Sequence, residues 1–152
     1  MATQATDKAE IRFYDPQDCD VKIGALQQHG DRQAAVHCRV VEWTPERMVS
    51  LSFYDPGLIL PRHSHASDSL IYILDGEVEI GGRRCTPGTQ IVLPKHAPIG
   101  PLIAGPEGCT FLESYAGDVT ATVEDHAGFE RLLAERGVTM LAGGDLQPIE
   151  EA

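Results

Sequence analysis

Apolar and polar residues alternate with a period of two in several short runs of this chain. In "MVSLSFY", Val49, Leu51 and Phe53 alternate with Ser50, Ser52 and Tyr54, the pattern of a half-buried strand. The segment from Ile11 to Gly57 reads as short strands, clearest in "AAVHCRVVEW" (34–43) and "RMVSLSFYD" (47–55). "SLIYIL" (69–74) is a β-branched and aromatic run that meets Asp75-Gly76, a hairpin signal, and then "EVEI" (77–80). Gly81-Gly82 and Pro87-Gly88 predict the next turns, and "TQIVLP" (89–94) a strand ended by its proline. "CTFLESY" (109–115) follows as a strand after a loop rich in Pro and Gly.

One segment carries a helical period. "EDHAGFERLLAERG" places Phe129, Leu132 and Leu133 on one face and stops at Gly137. The tail beyond it, "VTMLAGGDLQPIEEA", has little periodicity. Short strands with a turn signal roughly every 8–12 residues predict an all-β sandwich or barrel, with the late helix packed outside. The expected division is a flexible N-terminus (1–10), a β-barrel (11–125) and a C-terminal helix and tail (126–152). A chain of 152 residues suits one domain with a real core.

Charge narrows the partners. A formal net charge of −11, from 12 basic and 23 acidic residues, argues against a nucleic-acid backbone as ligand. The basic pair Arg83-Arg84 sits in an expected hairpin. Cysteines 19, 38, 85 and 109 are scattered without a CxxC pair, so reduced thiols acting as small apolar residues are expected. No signal peptide is legible, and no run approaches the ~18 apolar residues of a membrane span. The expectation is a soluble cytoplasmic protein with no membrane or nucleic-acid partner. There is no Gly-rich phosphate loop and no nucleophile elbow.

The chemistry gathers around "GLILPRHSHASDSLIYILDG" (57–76). Residues i and i+2 of a strand face one side, so His63 and His65 project together and can neighbour one another around a metal. Gly57, five residues, His63, one residue, His65, three residues, Ser69, six residues, Gly76 resembles the first motif of the cupin superfamily, G-x5-H-x-H-x3-E-x6-G. "GTQIVLPKHAPIGPLI" matches the second, G-x5-P-x-G-x2-H-x3-N, at Gly88 and Pro94. The resemblance covers about residues 47 to 115. It implies a double-stranded β-helix, the cupin jelly-roll barrel, around a small-molecule pocket.

The resemblance also implies a metal held by three histidines and a glutamate, and here the chain departs from it. Ser69 stands at the glutamate position, Ile99 at the second-motif histidine, His96 at the glycine and Ile103 at the asparagine. Neither serine beside a carboxylate nor isoleucine makes a good ligand for a divalent ion. The expected metal set is His63, His65 and His96, the last turned inward by the loop between Pro94 and Pro98, around Fe, Mn, Ni or Zn. Asp68 adjoins the lost glutamate but faces the other way on a regular strand. Glu113 enters the pocket if Phe111 and Tyr115 do, and Glu113 and His65 are the candidate catalytic residues. Arg62 is expected in solvent, and Tyr72, Met48 and Trp43 in packing.

The resulting expectation is a metal-dependent enzyme acting on a small organic acid, enol or aromatic compound. Dioxygenase chemistry is placed ahead of isomerase, cyclase or lyase chemistry. A metal-free version has His63 or His65 move the proton. The alternative is a metabolite-binding or sensing module that has lost its metal, and a third reading is a structural homodimer without small-molecule chemistry. The resemblance implies a homodimer in each case.

Overall fold

The computed structural model describes residues 9–144 and the backbone of 150–151. In chain order the elements are β1 (Val21–His29), β2 (Arg32–Trp43), β3 (Met48–Tyr54), β4 (Ile59–Leu60), β5 (His63–His65), β6 (Ser69–Ile80), β7 (Arg83–Cys85) and β8 (Gln90–Leu93). They continue with β9 (Leu102–Tyr115), β10 (Ala121–Val123), α1 (His126–Arg136), β11 (Val138–Met140) and β12 (Glu150–Glu151). A 9-stranded sheet runs β11-β1-β2-β3-β9-β6-β7, with β4 also paired to β9 and β8 to β6. A 3-stranded sheet, β12-β10-β5, lies apart from it. This is an antiparallel jelly roll: the strand spacing predicts its all-β class and the resemblance to cupins its jelly-roll form. No helix among the described residues is long and apolar enough to cross a membrane.

The middle of the large sheet sets the geometry of the interior. β9 lies between β3 and β6, so three cross-strand rows form. Met48, Tyr115 and Ser69 make one, Ser50, Glu113 and Ile71 the next, and Ser52, Phe111 and Ile73 the third. Residues directly opposite share a face, and in these rows that face is the interior. β3 therefore buries Met48, Ser50, Ser52 and Tyr54, while Val49, Leu51 and Phe53 are half-buried on the outside. On β6, Ser69, Ile71 and Ile73 point in, whereas Leu70 and Leu74 are 41% and 44% exposed. Tyr72 shares their outer face and is half-buried, which corrects its expected place in the core.

Two turn signals resolve differently from their sequence reading. Asp75-Gly76 is not a hairpin turn: β6 runs unbroken through it, with register shifts on both sides against β9. Gly76 has φ +69, and a Cβ there would meet the Gly108 carbonyl oxygen at 2.1 Å. The glycine thus serves a bulge and a close strand approach. Of the Pro/Gly-rich stretch before Cys109, residues 94–101 form the expected loop and residues 102–108 already belong to β9. Gly81-Gly82 does make a turn, joining Ile80 to Arg83.

The helix forms where its period predicts. The Asp125 side chain accepts from the Gly128 N–H at the N-terminus, and Gly137 ends α1 in the left-handed region at φ 64. Leu133 buries against Ile59 and Val138, with Phe129 and Leu132 beside it, so α1 covers the outside of the barrel. β11, in the tail that lacked periodicity, pairs with β1. The main core gathers Leu58, Ile71, Ile73, Leu102, Phe111 and neighbours, each worth on the order of 2 kcal/mol in burial. Cys38, Cys85 and Cys109 are buried free thiols.

Candidate functional site

β5 is held on two sides. Its residues His63 and His65 pair with Val123 and Ala121 of β10, and His63 exchanges backbone hydrogen bonds of 2.9 and 2.8 Å with Ile99. The two-residue period turns both imidazoles into the barrel and Ser64 outward, where its hydroxyl donates to Glu124 at 2.6 Å. The rings of His63 and His65 lie 5.0 Å apart, nearly perpendicular at 86°. His63 Nδ1 is 2.8 Å from the Pro61 carbonyl and His65 Nδ1 is 3.1 Å from that of Val119. A carbonyl only accepts, so each Nδ1 carries the hydrogen and each Nε2 keeps its lone pair. Burial lowers the pKa of His63. Burial and the neighbouring His63 bring His65 down to about 4, against the pull of the Val119 carbonyl. Both are neutral at pH 7.

Glu113 faces this pair from the large sheet. Phe111 and Tyr115 are buried on the same side, so the condition set for Glu113 to enter the pocket is met. It lies in the row between Ser50 and Ile71, with the Tyr115 hydroxyl acting on it. Burial raises the Glu113 carboxyl to about 7 despite the lowering effect of Tyr115. The Tyr115 ring packs edge-on against His65 at 4.9 Å between centroids, which ties the carboxyl to the imidazoles. The surrounding cavity of about 960 Å³ is lined by His63, His65 and Glu113 together with Ser50, Ser52, Tyr54 and Tyr115. Leu60, Ile71, Ile99, Leu102 and Phe111 make its apolar walls.

The structure does not bring His96 to this group. His96 is exposed on the turn after β8, does not line the cavity, and has φ +66. That backbone conformation favours glycine, the residue the second motif carries there, and the N–H of His96 donates to the His65 carbonyl at 2.9 Å. Its main chain supports the site while its imidazole points elsewhere. Ile99 lines the cavity beside His63, so an apolar side chain occupies the second-motif ligand position. Ser69 is 6% exposed on the inner face, and among the described residues its Oγ has no hydrogen-bond partner, at a cost on the order of 1–3 kcal/mol. Asp68 faces outward and accepts from the Lys95 N–H at 2.8 Å. Arg62 is exposed, as expected.

These placements test the implied metal. Two imidazoles with free Nε2 atoms and carbonyl-anchored Nδ1 atoms are suited to ligation. Yet among the described residues no group of three or more His, Cys, Asp or Glu could hold a metal ion. The donor set does not fit a resident divalent ion, which needs three protein ligands or more.

The site also contains residues that the sequence reading assigned to no chemical role. Ser50 and Ser52 line the cavity, and their alternation in "MVSLSFY" was visible without revealing which face was inside. Trp43 is not packing: it is 54% exposed and lines the cavity. Met48 is buried as expected.

No protein-family model matches the chain, and no curated protein does. Solved structures do. An RmlC-like cupin from Shewanella frigidimarina is 18% identical, with 71% of this chain and 92% of that chain covered and a TM-score of 0.58. The polyketide cyclase RemF from Streptomyces resistomycificus is 16% identical, covering 83% of this chain and 94% of that chain at a TM-score of 0.63. A cupin-superfamily sugar phosphate isomerase from Silicibacter pomeroyi is 20% identical, covering 59% and 66% at 0.51. At these identities the likeness is one of fold, and the chain has the cupin fold.

Proposed function

We propose that this chain is a small-molecule enzyme of the cupin fold that transfers a proton beside a carbonyl or enol, as an isomerase, cyclase or lyase does. The observation that carries the reading is Glu113: an inward carboxyl, raised to about 7, among hydroxyls and opposite two neutral imidazoles. A carboxyl poised near the working pH both gives and accepts a proton readily. His63 and His65 present acceptor Nε2 atoms to a substrate hydroxyl, and Ile71, Ile99 and Phe111 keep water from the reacting centre. Metal-dependent dioxygenase chemistry ranks behind this, because two imidazoles without a third ligand hold a divalent ion weakly.

The test is transfer of deuterium from D₂O into a panel of small enolisable ketones, followed by NMR. At least one ketone should exchange faster than in buffer, and Glu113→Gln should slow it roughly 100-fold or more. If no ketone exchanges although ketones bind, the chain is the metabolite-binding module instead.

The same reading pairs two copies across the outer face of the large sheet. Val49, Leu51, Phe53, Leu70, Tyr72, Leu74, Val92 and Leu112 form an uncharged surface there on a chain of net charge −11. It is an apolar strip, bordered by Arg39 and Glu42 of β2, that a second copy would cover. Sedimentation should report a dimer mass, and Leu112→Lys a monomer.

A further inference from the structure

The cavity wall carries one lysine, on the strand farthest across the sheet from Glu113. Lys22 of β1 stands opposite Cys38 of β2, and Cys38 stands opposite Ser52 of β3. Cross-strand partners share a face, and Ser52 is inward, so Lys22 belongs to the inner face and lines the cavity. It is half-buried. Among the described residues its ammonium makes no ion pair and no hydrogen bond, although the chain has 23 acidic residues.

Asp118 is the other fixed charge of the lining, and it does not neutralise Lys22. It sits on the loop after β9, exposed to solvent, and its Oδ1 accepts from the Thr120 N–H at 2.8 Å. That contact and the more distant Lys95 hold its carboxyl below the ordinary carboxylate value. The same loop meets His65 through the Val119 carbonyl, whereas Lys22 comes from β1. The two charges thus belong to separate walls.

Between Lys22 and Glu113 the wall is low and then polar. Gly24, the next inward residue of β1, has no side chain, and Cys38 has a small one; both line the cavity. Beyond them the Ser52 hydroxyl donates to that of Ser50 at 3.4 Å, and Ser50 stands opposite Glu113. From β1 to β9 the sheet crosses β2 and β3. Neighbouring strands lie about 4.8 Å apart, so those three intervals span roughly 14 Å of backbone, less the reach of two side chains. A ligand lying on this floor reaches the ammonium with one end and the Glu113 carboxyl with the other, its polar atoms over the serines.

A lone ammonium balances one negative charge. A phosphate dianion retains a second, and no arginine and no residue of α1 lines the cavity to answer it. An amine meets Lys22 as a like charge. We propose that Lys22 binds the carboxylate of a monocarboxylic substrate whose enolisable carbonyl lies several bonds away, at Glu113. This rests on the proton-transfer reading of the site and gives it a substrate class.

The experiment compares four ligands of one frame on the full chain at pH 7 by calorimetry: 4-acetylbenzoate, its methyl ester, 4-acetylphenyl phosphate and 4-(aminomethyl)acetophenone. The benzoate should bind roughly tenfold or more tightly than each of the others. Lys22→Met should bring benzoate and ester to one affinity, and Lys22→Arg should keep most of the preference. Equal or tighter binding of the ester, the phosphate or the amine overturns the proposal, as does a benzoate preference that survives in Lys22→Met, or binding of none of the four. The wild-type comparison stands whether or not the variants fold. Failure of the proton-transfer reading is separate. It shows as benzoate preference with no exchange of the acetyl hydrogens in D₂O, whereas Glu113-dependent exchange without benzoate preference overturns the substrate class alone.

Discussion

The two faces of the β3–β9–β6 sheet invert the usual order of a β-sheet. Its outer face carries Val49, Leu51, Leu112, Leu70 and Leu74, while its inner face carries Ser50, Ser52, Glu113 and Ser69 at the same strand positions one residue along. In the same rows the inner face also carries Ile71, Ile73 and Phe111 of the main core. The polar side chains therefore form a patch within the cavity wall rather than a whole face. Folding alone gains nothing from an inward carboxyl at about 7 or an unpartnered serine hydroxyl, and a polar patch held there against that cost points to a ligand.

The sharpest break of this comparison uses neighbouring residues on opposite faces. Phe111→Ala removes a 3%-exposed ring packed edge-on against Tyr54 at 4.6 Å, and should cost ~3–5 kcal/mol in urea unfolding. Leu112→Ala, 40% exposed, should cost about 1 kcal/mol or less. Equal costs would mean that the outer face is as fully packed as the core.

Glu113 supplies the next largest effect, and its sign is fixed by the raised carboxyl. Below its ordinary value of 4.5 the group is protonated in both states. Between 4.5 and about 7 the unfolded chain ionises first, so the native state loses stability as pH rises. Glu113→Gln should accordingly gain on wild type from pH 5 to pH 8, by at most about 3 kcal/mol and less as water enters the cavity. His65 works in the opposite sense. With its imidazole at about 4 against 6.5, the unfolded chain takes up protons first and stability falls as pH drops through that window. Wild type should show a shallow slope where the two overlap, and each single variant a steep one. Denaturant melts at pH 5, 6.5 and 8 check both.

The smallest effect is expected at Ser69. Ser69→Ala deletes a buried hydroxyl with no partner, so stability should rise by up to ~1 kcal/mol. A loss of stability would mean that a bound water already satisfies the Oγ atom.

Much of the fold was legible along the chain because it depends on local chemistry. Strand periods, the Gly81-Gly82 turn and the helix with its Asp125 and Gly137 ends all follow from residues near in sequence. The Asp75-Gly76 reading failed for a non-local reason: Gly108 on the neighbouring strand crowds Gly76, and a bulge answers that approach as well as a turn does. Tyr72 failed similarly, because alternation with Leu70 and Leu74 identifies a shared face but not which face is inside. His96 was drawn toward the metal by spacing alone, and only its exposed place on the turn after β8 shows that it lies outside the cavity.

By itself the sequence determined that His63 and His65 share one face of a strand, that Ser69 and Ile99 stand where two further metal ligands belong in the motif it resembles, and that the architecture is a cupin barrel. The first depends on period, and the other two on a resemblance to the cupin motifs, both of which a linear chain carries. The tertiary structure alone decided that the serine face of β3 is the interior and that Glu113 rather than His96 completes the polar group. Both depend on which strands pair across the sheet, and residues more than 50 positions apart meet there only after β5, β3 and β9 have closed around the same cavity.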